Sequence, residues 1–295
     1  MAQDGRAGSL YIVATPIGNL EDISQRALTI LREVQLIVAE DTRHSQRLLQ
    51  HYGIQIELQS LHDHNERQRV PAVIERLLAG DNVALISDAG TPLLSDPGYL
   101  LVRAACDNNI KVSPVPGPSA VTAALSAAGF PLQRFTFIGF LPPKQGARRA
   151  ALQDLQHESG VVVLFESTHR ILELLQDICA VIGIERPLVL ARELTKLHEN
   201  FLRGNAQELL ARLQTDADQC RGEFVVLLAP AGERPDTAEV SAERSLRILL
   251  TELPLNQAVR LAAEISGAKR NRLYELALHI NQEEQAKSES GVDQA

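Results

Sequence analysis

The chain has 295 residues, 45% hydrophobic and 22% charged, which is enough apolar content for a pair of packed domains and excludes disorder throughout. A formal net charge of -8 argues against a nonspecific coat for nucleic acid, which relies on Lys and Arg against phosphates, but leaves room for a structured RNA met by a local basic patch. Cys106, Cys179 and Cys220 are widely spaced, the first eight residues hold no signal core, and no stretch carries about 18 uncharged apolar residues, so a cytoplasmic chain with no membrane contact and no disulfide framework is expected.

Apolar runs at Leu10 to Ala14, Leu36 to Ala39, Val83 to Ile86 and Val112 to Val115 alternate with helical patterns such as Ser24 to Glu33 and Pro97 to Asn108. That is the rhythm of a mainly parallel sheet in an N-terminal α/β domain over 9–128. After Gly129 the rhythm changes. Phe135 to Phe140, Gly160 to Phe165, Leu188 to Arg192, Phe201 to Gly204 and Glu223 to Ala229 read as five strands with fewer helices between them, a second α/β domain of mixed sheet over 129–230. Residues 231–240 are polar and Pro/Gly-bearing and read as a linker. Helical spacing in Ser241 to Glu252, Leu255 to Ile265 and Ala268 to Ile280, broken by Pro254 and Gly267, predicts a small helix-turn-helix-like module over 241–280, and 281–295 reads as a disordered tail.

Four loops gather Gly, Pro, Asp, Ser and Thr: Thr15 to Leu20, Ser87 to Pro92, Ser95 to Gly98 and Pro116 to Ala120. Ligands of open parallel sheets bind beyond the carboxyl ends of the strands, so these loops predict one crevice. They contain no G-x-G-x-x-G, no G-x-x-x-x-G-K-[ST] and no Lys or Arg, which disfavours a phosphate-rich ligand. Asp88, with the hydroxyls of Ser87, Thr91 and Ser119, suits a ligand with hydroxyl donors and positive charge, although Asp also caps turns.

The spacing T-P-I-G-N-L at 15–20, A-E-D-T-R at 39–43, S-D-A-G-T-P-L-L-S-D-P-G at 87–98 and V-P-G-P-S-A at 115–120 resembles the tetrapyrrole methylase-like superfamily of class III methyltransferases. G-F-L-P-P-K at 139–144, F-E-S-T-H-R at 165–170 and R-E-L-T-K at 192–196 are similar to the branch that methylates the ribose 2'-hydroxyl of a decoding-centre cytidine in 16S ribosomal RNA. The resemblance covers about residues 9 to 230. It implies S-adenosylmethionine as cofactor, a homodimer, and small-subunit ribosomal RNA within the ribosomal subunit as partner, with no DNA. By matching positions it implies that Pro16, Asp88, Gly90, Thr91, Pro92, Ser119, Ala120 and Phe165 line the cofactor. Two other readings stay open: a porphyrinoid or precorrin methyltransferase, and a non-catalytic ribosome-binding factor.

A ribose hydroxyl must lose its proton when it is methylated, and a general base assists. Glu40, Asp41, Glu166, Glu193 and Lys196 are candidates. Glu166 and the strand end with Arg192, Glu193 and Lys196 are favoured, because both would open from the second domain and pair a carboxylate with Arg170, Arg192 or Lys196. Such pairs are often structural salt bridges. His62 and His64 lack a third ligand, so no metal is expected. Lys144, Arg148 and Arg149, and Lys269, Arg270 and Arg272 at the last predicted helix, form two basic runs that suit RNA phosphates. Either run also fits a solvated face, and the last module also fits a packing unit.

Overall fold

Strands β2 (Leu36–Ala39) and β4 (Val83–Ile86) are buried at every position, the condition of a parallel strand with helices on both faces. The computed structural model describes residues 7–231, 237–278 and 280. The chain divides into a unit up to Pro230 and a unit from Ala231.

In the first unit, β1 (Ser9–Val13), β3 (Leu58–Ser60) and β5 (Lys111–Val115) join β2 and β4 in an all-parallel sheet of order β3-β2-β4-β1-β5. Helices α3 (Glu66–Leu78) and α4 (Tyr99–Asp107) cover one face through Val73, Leu77, Leu101 and Ala105. Helices α1 (Gln25–Glu33) and α2 (Thr42–His51) cover the other through Ala27, Leu31 and Leu49. Local chemistry sets these ends: the Ser24 hydroxyl accepts from Ala27 N to start α1, and the buried Glu66 carboxylate accepts from Leu100 N at 2.8 Å, capping α4 from another helix. Strand β3 was not among the predicted strands. It is three half-buried residues at the sheet edge, too short for a periodic signal.

The second sheet has the order β6-β7-β10-β8-β9, from β6 (Phe135–Phe140), β7 (Val161–Glu166), β8 (Pro187–Arg192), β9 (Asn200–Asn205) and β10 (Phe224–Leu228). Only β6 and β7 pair in parallel, which gives the expected mixed sheet. Helices α6 (Gln145–Asp154), α7 (Ile171–Val181) and α8 (Ala206–Thr215) pack on one face through Leu152, Leu174, Ile178 and Leu209. The other face is covered by α5 (Ala120–Ala128), whose Val121, Ala124 and Leu125 meet Val161, Val163, Val189 and Val225. Helix α5 thus follows the first sheet in sequence and packs in the core of the second.

The unit from Ala231 packs α9 (Thr237–Leu250), α10 (Leu255–Ser266) and α11 (270–278) around Leu246, Val259, Ala262, Leu273 and Ala277. Gly267, at φ 71°, ends α10 in the left-handed conformation that a residue without Cβ adopts at low cost. Helix α9 starts inside the predicted linker 231–240, of which 232–236 lie outside the described residues, as does the predicted tail 281–295. Among the described residues no helix is long and apolar enough to cross a membrane, and no group of three or more His, Cys, Asp or Glu is arranged to hold a metal ion.

Candidate active site

Because β4, β1 and β5 are parallel neighbours, their following loops end side by side, and short bonds lock them together. Thr15 N donates to Gly90 O at 2.9 Å and Gly90 N returns to Thr15 O at 3.0 Å. Thr91 Oγ1 donates to Pro118 O at 3.1 Å, and Asp41 N donates to Asp88 Oδ1 at 3.1 Å. Leu93 and Ser95 adopt φ values of 73° and 72°, costly for residues with a Cβ and of a kind that clusters at functional sites. Across from this loop, Gly139 sits at the bulge of β6 with φ 77°. A Cβ there would lie 2.7 Å from Ser95 Oγ, so the strained loop rests on the second sheet.

Between these loops and the strand ends of the second sheet lies a cavity of about 390 Å³, a size suited to a small molecule. Asp88, Gly90, Thr91, Ser119, Ala120 and Phe165 all stand on its wall. Pro16 and Pro92 do not: both are buried and neither is part of the lining. Apolar side chains of Ile17, Leu94, Phe140, Leu194 and Val225 fill much of the rest, and Phe165 meets Phe137 and Phe140 edge-on at centroid distances of 4.9 and 5.7 Å. The lining includes Asp88, Asp96 and Glu223 and no Lys or Arg. Ser119, Ala120 and Val121 bring the N-terminus of α5 to the wall, and the Ser119 side chain makes no capping bond there.

Asp96 is a wall residue that sequence reasoning did not single out. Its loop, Ser95 to Gly98, is among those expected at the crevice, but no residue type in S-D-P-G separates a turn Asp from a cavity Asp. Burial first, and then the charge of Glu40, push its carboxyl up to about 6 against the opposing Ser87 hydroxyl, with a smaller upward push from Asp88. Glu40 is raised as well, by burial and then by Asp88 and Asp63. Asp41 goes the other way, to about 2, because Arg43 hydrogen-bonds it with side chain and backbone. Among the described residues no Lys or Arg pairs with Asp88 or Asp96.

The favoured proton-transfer candidates are engaged elsewhere. Glu166 is on the wall, yet its carboxylate has 0% side-chain exposure. Oε1 accepts from Ser167 N at 2.8 Å, and Oε2 lies 3.2 Å from an Arg170 nitrogen that instead donates to Leu141 O at 2.7 Å. Oε2 thus has an ionic neighbour and no hydrogen bond. Arg192 donates to the carbonyls of Arg221 and Asp218. Glu193 Oε1 accepts from Lys196 Nζ and from Glu223 N, both at 2.9 Å. Burial opposes the charged Lys196, but its bonds to Glu193 and Glu223 outweigh burial and raise its pKa, so it is a cation and not a free base. This turn also docks across the cleft: Thr195 Oγ1 accepts from Asn19 N at 3.1 Å, and a Cβ on Gly18 would lie 2.5 Å from Lys196 Cγ.

The basic runs divide in the same way. Arg148 is 1% exposed, with Nε 2.7 Å from Asp177 Oδ2 and a terminal nitrogen 3.1 Å from Glu173, which removes it from the reach of a phosphate and corrects the expectation for it. Arg149 is exposed but bonds Asp177 Oδ1 at 2.6 Å. Lys144, Lys269, Arg270 and Arg272 are exposed.

Residues 9–210 match the family model of the Tetrapyrrole (Corrin/Porphyrin) Methylases, and residues 235–281 match that of the RsmI C-terminal HTH domain. Over 276 residues the chain is 54% identical to ribosomal RNA small subunit methyltransferase I of Pseudomonas aeruginosa, spanning 92% of this chain and 97% of that one. The protein of the same name from Escherichia coli O157:H7 is 50% identical over 275 residues, spanning 93% and 96%. The chain belongs to the tetrapyrrole methylase family, in its ribosomal RNA small subunit methyltransferase I branch. Family membership accounts for the order of the units, a methylase fold followed by a helical unit. Among solved structures, uroporphyrin-III C-methyltransferase of Thermus thermophilus complexed with S-adenyl homocysteine is similar with a TM-score of 0.53 at 16% identity, covering 75% of this chain and 97% of that one, which is a likeness of fold.

Proposed function

We propose that this chain is an S-adenosylmethionine-dependent methyltransferase of small-subunit ribosomal RNA whose acceptor is the ribose 2'-hydroxyl of a decoding-centre cytidine. It would act in the cytoplasm as a homodimer on the ribosomal subunit. The observation that carries this reading is identity of 50% and more to ribosomal RNA small subunit methyltransferases over nine-tenths of the chain, which takes in the cavity and reaches into the helical unit. The porphyrinoid alternative has behind it the breadth of the family and a likeness of fold at 16% identity.

The wall fits the methyl donor. A cavity lined by carboxylates and aromatic rings without Lys or Arg suits a cationic, phosphate-free nucleoside, and the uncapped first turn of α5 suits its carboxylate. When bound, the donor supplies a methyl group on a positively charged sulfur. Asp88, Gly90 and Thr91 on one loop and Ser119 and Ala120 on the next are the residues we assign to holding it, with Phe165 closing the opposite wall. Glu166, Arg192, Glu193 and Lys196 shape and dock the second half of the wall and are positioning residues. Holding reacting groups in line accounts for much of the rate of such a displacement. Lys144 beside the cavity strand β6, and Lys269, Arg270 and Arg272 in the helical unit, supply cations for RNA phosphates.

The test is incubation of the purified protein with labelled S-adenosylmethionine and small ribosomal subunits, followed by mapping of the label. One ribose-methylated cytidine is the expected result. Label on a base, or none on RNA, contradicts it.

A further inference from the structure

The unit from Ala231 closes a core of its own and leaves one face of α11 uncovered within it. Leu273 and Ala277, four residues apart, turn inward against Leu246, Val259 and Ala262. The outer face carries Asn271, Tyr274 and Leu278, with Tyr274 and Leu278 41% and 42% exposed, and Lys269 and Arg270 stand exposed at its start. An aromatic ring and a leucine bordered by two cations and an amide make a mixed surface, unlike the apolar seam of a packing helix. Glu275 is the acidic residue on it.

These two cations also differ from others of the unit. Arg247 pairs with Glu243 at 2.9 Å and Arg260 with Glu264 at 3.6 Å, each on its own helix. Among the described residues no ion pair joins Lys269 or Arg270. Both lie at a helix N-terminus, where the helix dipole adds to their attraction for an anion. The turn that presents them is tightly bonded: Ser266 Oγ donates to Ala262 O at 2.6 Å and accepts from Ala268 N at 3.2 Å, and Lys269 O accepts from the amides of Arg272 and Leu273 at 3.1 and 3.2 Å.

We infer that α11 reads an unpaired nucleotide of the small-subunit RNA, with Lys269 and Arg270 on phosphates and the Tyr274 ring stacked on a base. The inference rests on the reading of this chain as a methyltransferase of that RNA. Geometry sets the kind of segment. An α-helix with its side chains is about 10–12 Å across, whereas the major groove of an RNA duplex is deep and too narrow for side chains to read. A loop or single strand instead exposes base faces, on which an aromatic ring stacks whatever the sequence. Asn271, three residues before Tyr274, brings an amide with both donor and acceptor to the same face for the edge of that base.

The experiment compares the wild-type full chain with Tyr274→Ala, Tyr274→Phe and Arg270→Ala. Methylation of small ribosomal subunits gives kcat and the KM for subunits, and fluorescence anisotropy gives the affinity for a single-stranded RNA of about 12 nucleotides and for the same strand in RNA and DNA duplexes. Tyr274→Ala is expected to raise KM and weaken single-strand binding about tenfold, with kcat within about threefold of wild type. Tyr274→Phe keeps the ring and is expected to stay within about twofold. Arg270→Ala is expected to lower the slope of log affinity against log salt by about 0.7, a slope that Tyr274→Ala leaves unchanged. Unchanged KM and affinity in Tyr274→Ala overturn the inference. So does binding by Tyr274→Phe as weak as by Tyr274→Ala, or tighter binding of the wild type to either duplex. A change of oligomeric state in Tyr274→Ala at unchanged RNA affinity makes this face a protein contact and overturns it as well. No label on RNA from the wild type removes the reading above and this inference together, whereas labelled subunits at an unchanged KM in Tyr274→Ala remove only this inference.

Discussion

The two sheets present ionisable residues to the same cavity in opposite states. The first-sheet loops offer Asp88 and Asp96 with no cation paired to either among the described residues, and backbone bonds fix the loop and leave these carboxylates on the wall. The second-sheet strand ends are richer in charge, yet each group there is taken up by another: Glu166 with Arg170, Glu193 with Lys196, Glu223 with Lys196, and behind them Arg148 and Arg149 with Asp177. Charge in a string of sequence therefore says little about chemistry until its partners are counted. A carboxylate bonded to a buried arginine stabilises a wall, and one without a cationic partner is available to a cationic ligand.

The largest effect expected from breaking this contrast is on the structural side. Asp177 is 0% exposed and binds two arginines, one of them 1% exposed, so Asp177→Asn leaves a buried cation undercompensated. A loss of about 3–5 kcal/mol in urea unfolding is expected. A loss below about 1 kcal/mol would place this cluster with ordinary surface pairs.

The second effect has the reverse sign and belongs to the free side. Asp96 has a folded pKa near 6 against an ordinary 3.8, so its ionisation opposes folding above pH about 6. As the pH falls through that window the folded chain takes up the proton first, and below about 4 the penalty is gone. Asp96→Asn is expected to stabilise the protein at pH 8 by about 1–2 kcal/mol after allowance for solvent screening, with the gain fading between pH 6 and 4. A gain of the same size at pH 8 and pH 4 would contradict this.

Much of the fold was legible. Continuous apolar runs such as Val83–Ile86 announce strands covered on both faces, and Gly, Pro and hydroxyl residues mark the loops that meet at the cavity. What was hidden depends on distance in sequence. Arg148 reads as an RNA cation because its partner Asp177 is 29 residues away, on another helix. Helix α5 reads as part of the first domain because chain order does not reveal which sheet its apolar face meets. The loop of Asp96 is legible as part of the crevice, but Asp96 itself does not stand out, because its burial and its acidic neighbours are tertiary. The strand end R-E-L-T-K is visible as a charged motif, but the bonds of Glu193 to Lys196 and to the backbone of Glu223 that give it its role are not.

The contrast between the two walls is tested most directly by calorimetric titration of S-adenosylhomocysteine into two variants that each remove one negative charge beside the cavity. Asp88→Asn is expected to weaken binding about tenfold or more, because an unpaired carboxylate on the wall faces the ligand. Glu193→Gln is expected to leave binding within about threefold, because that carboxylate serves Lys196 and the Glu223 backbone. Equal losses in both variants, or a larger loss in Glu193→Gln, would contradict the division of the cavity into a binding wall and a structural one.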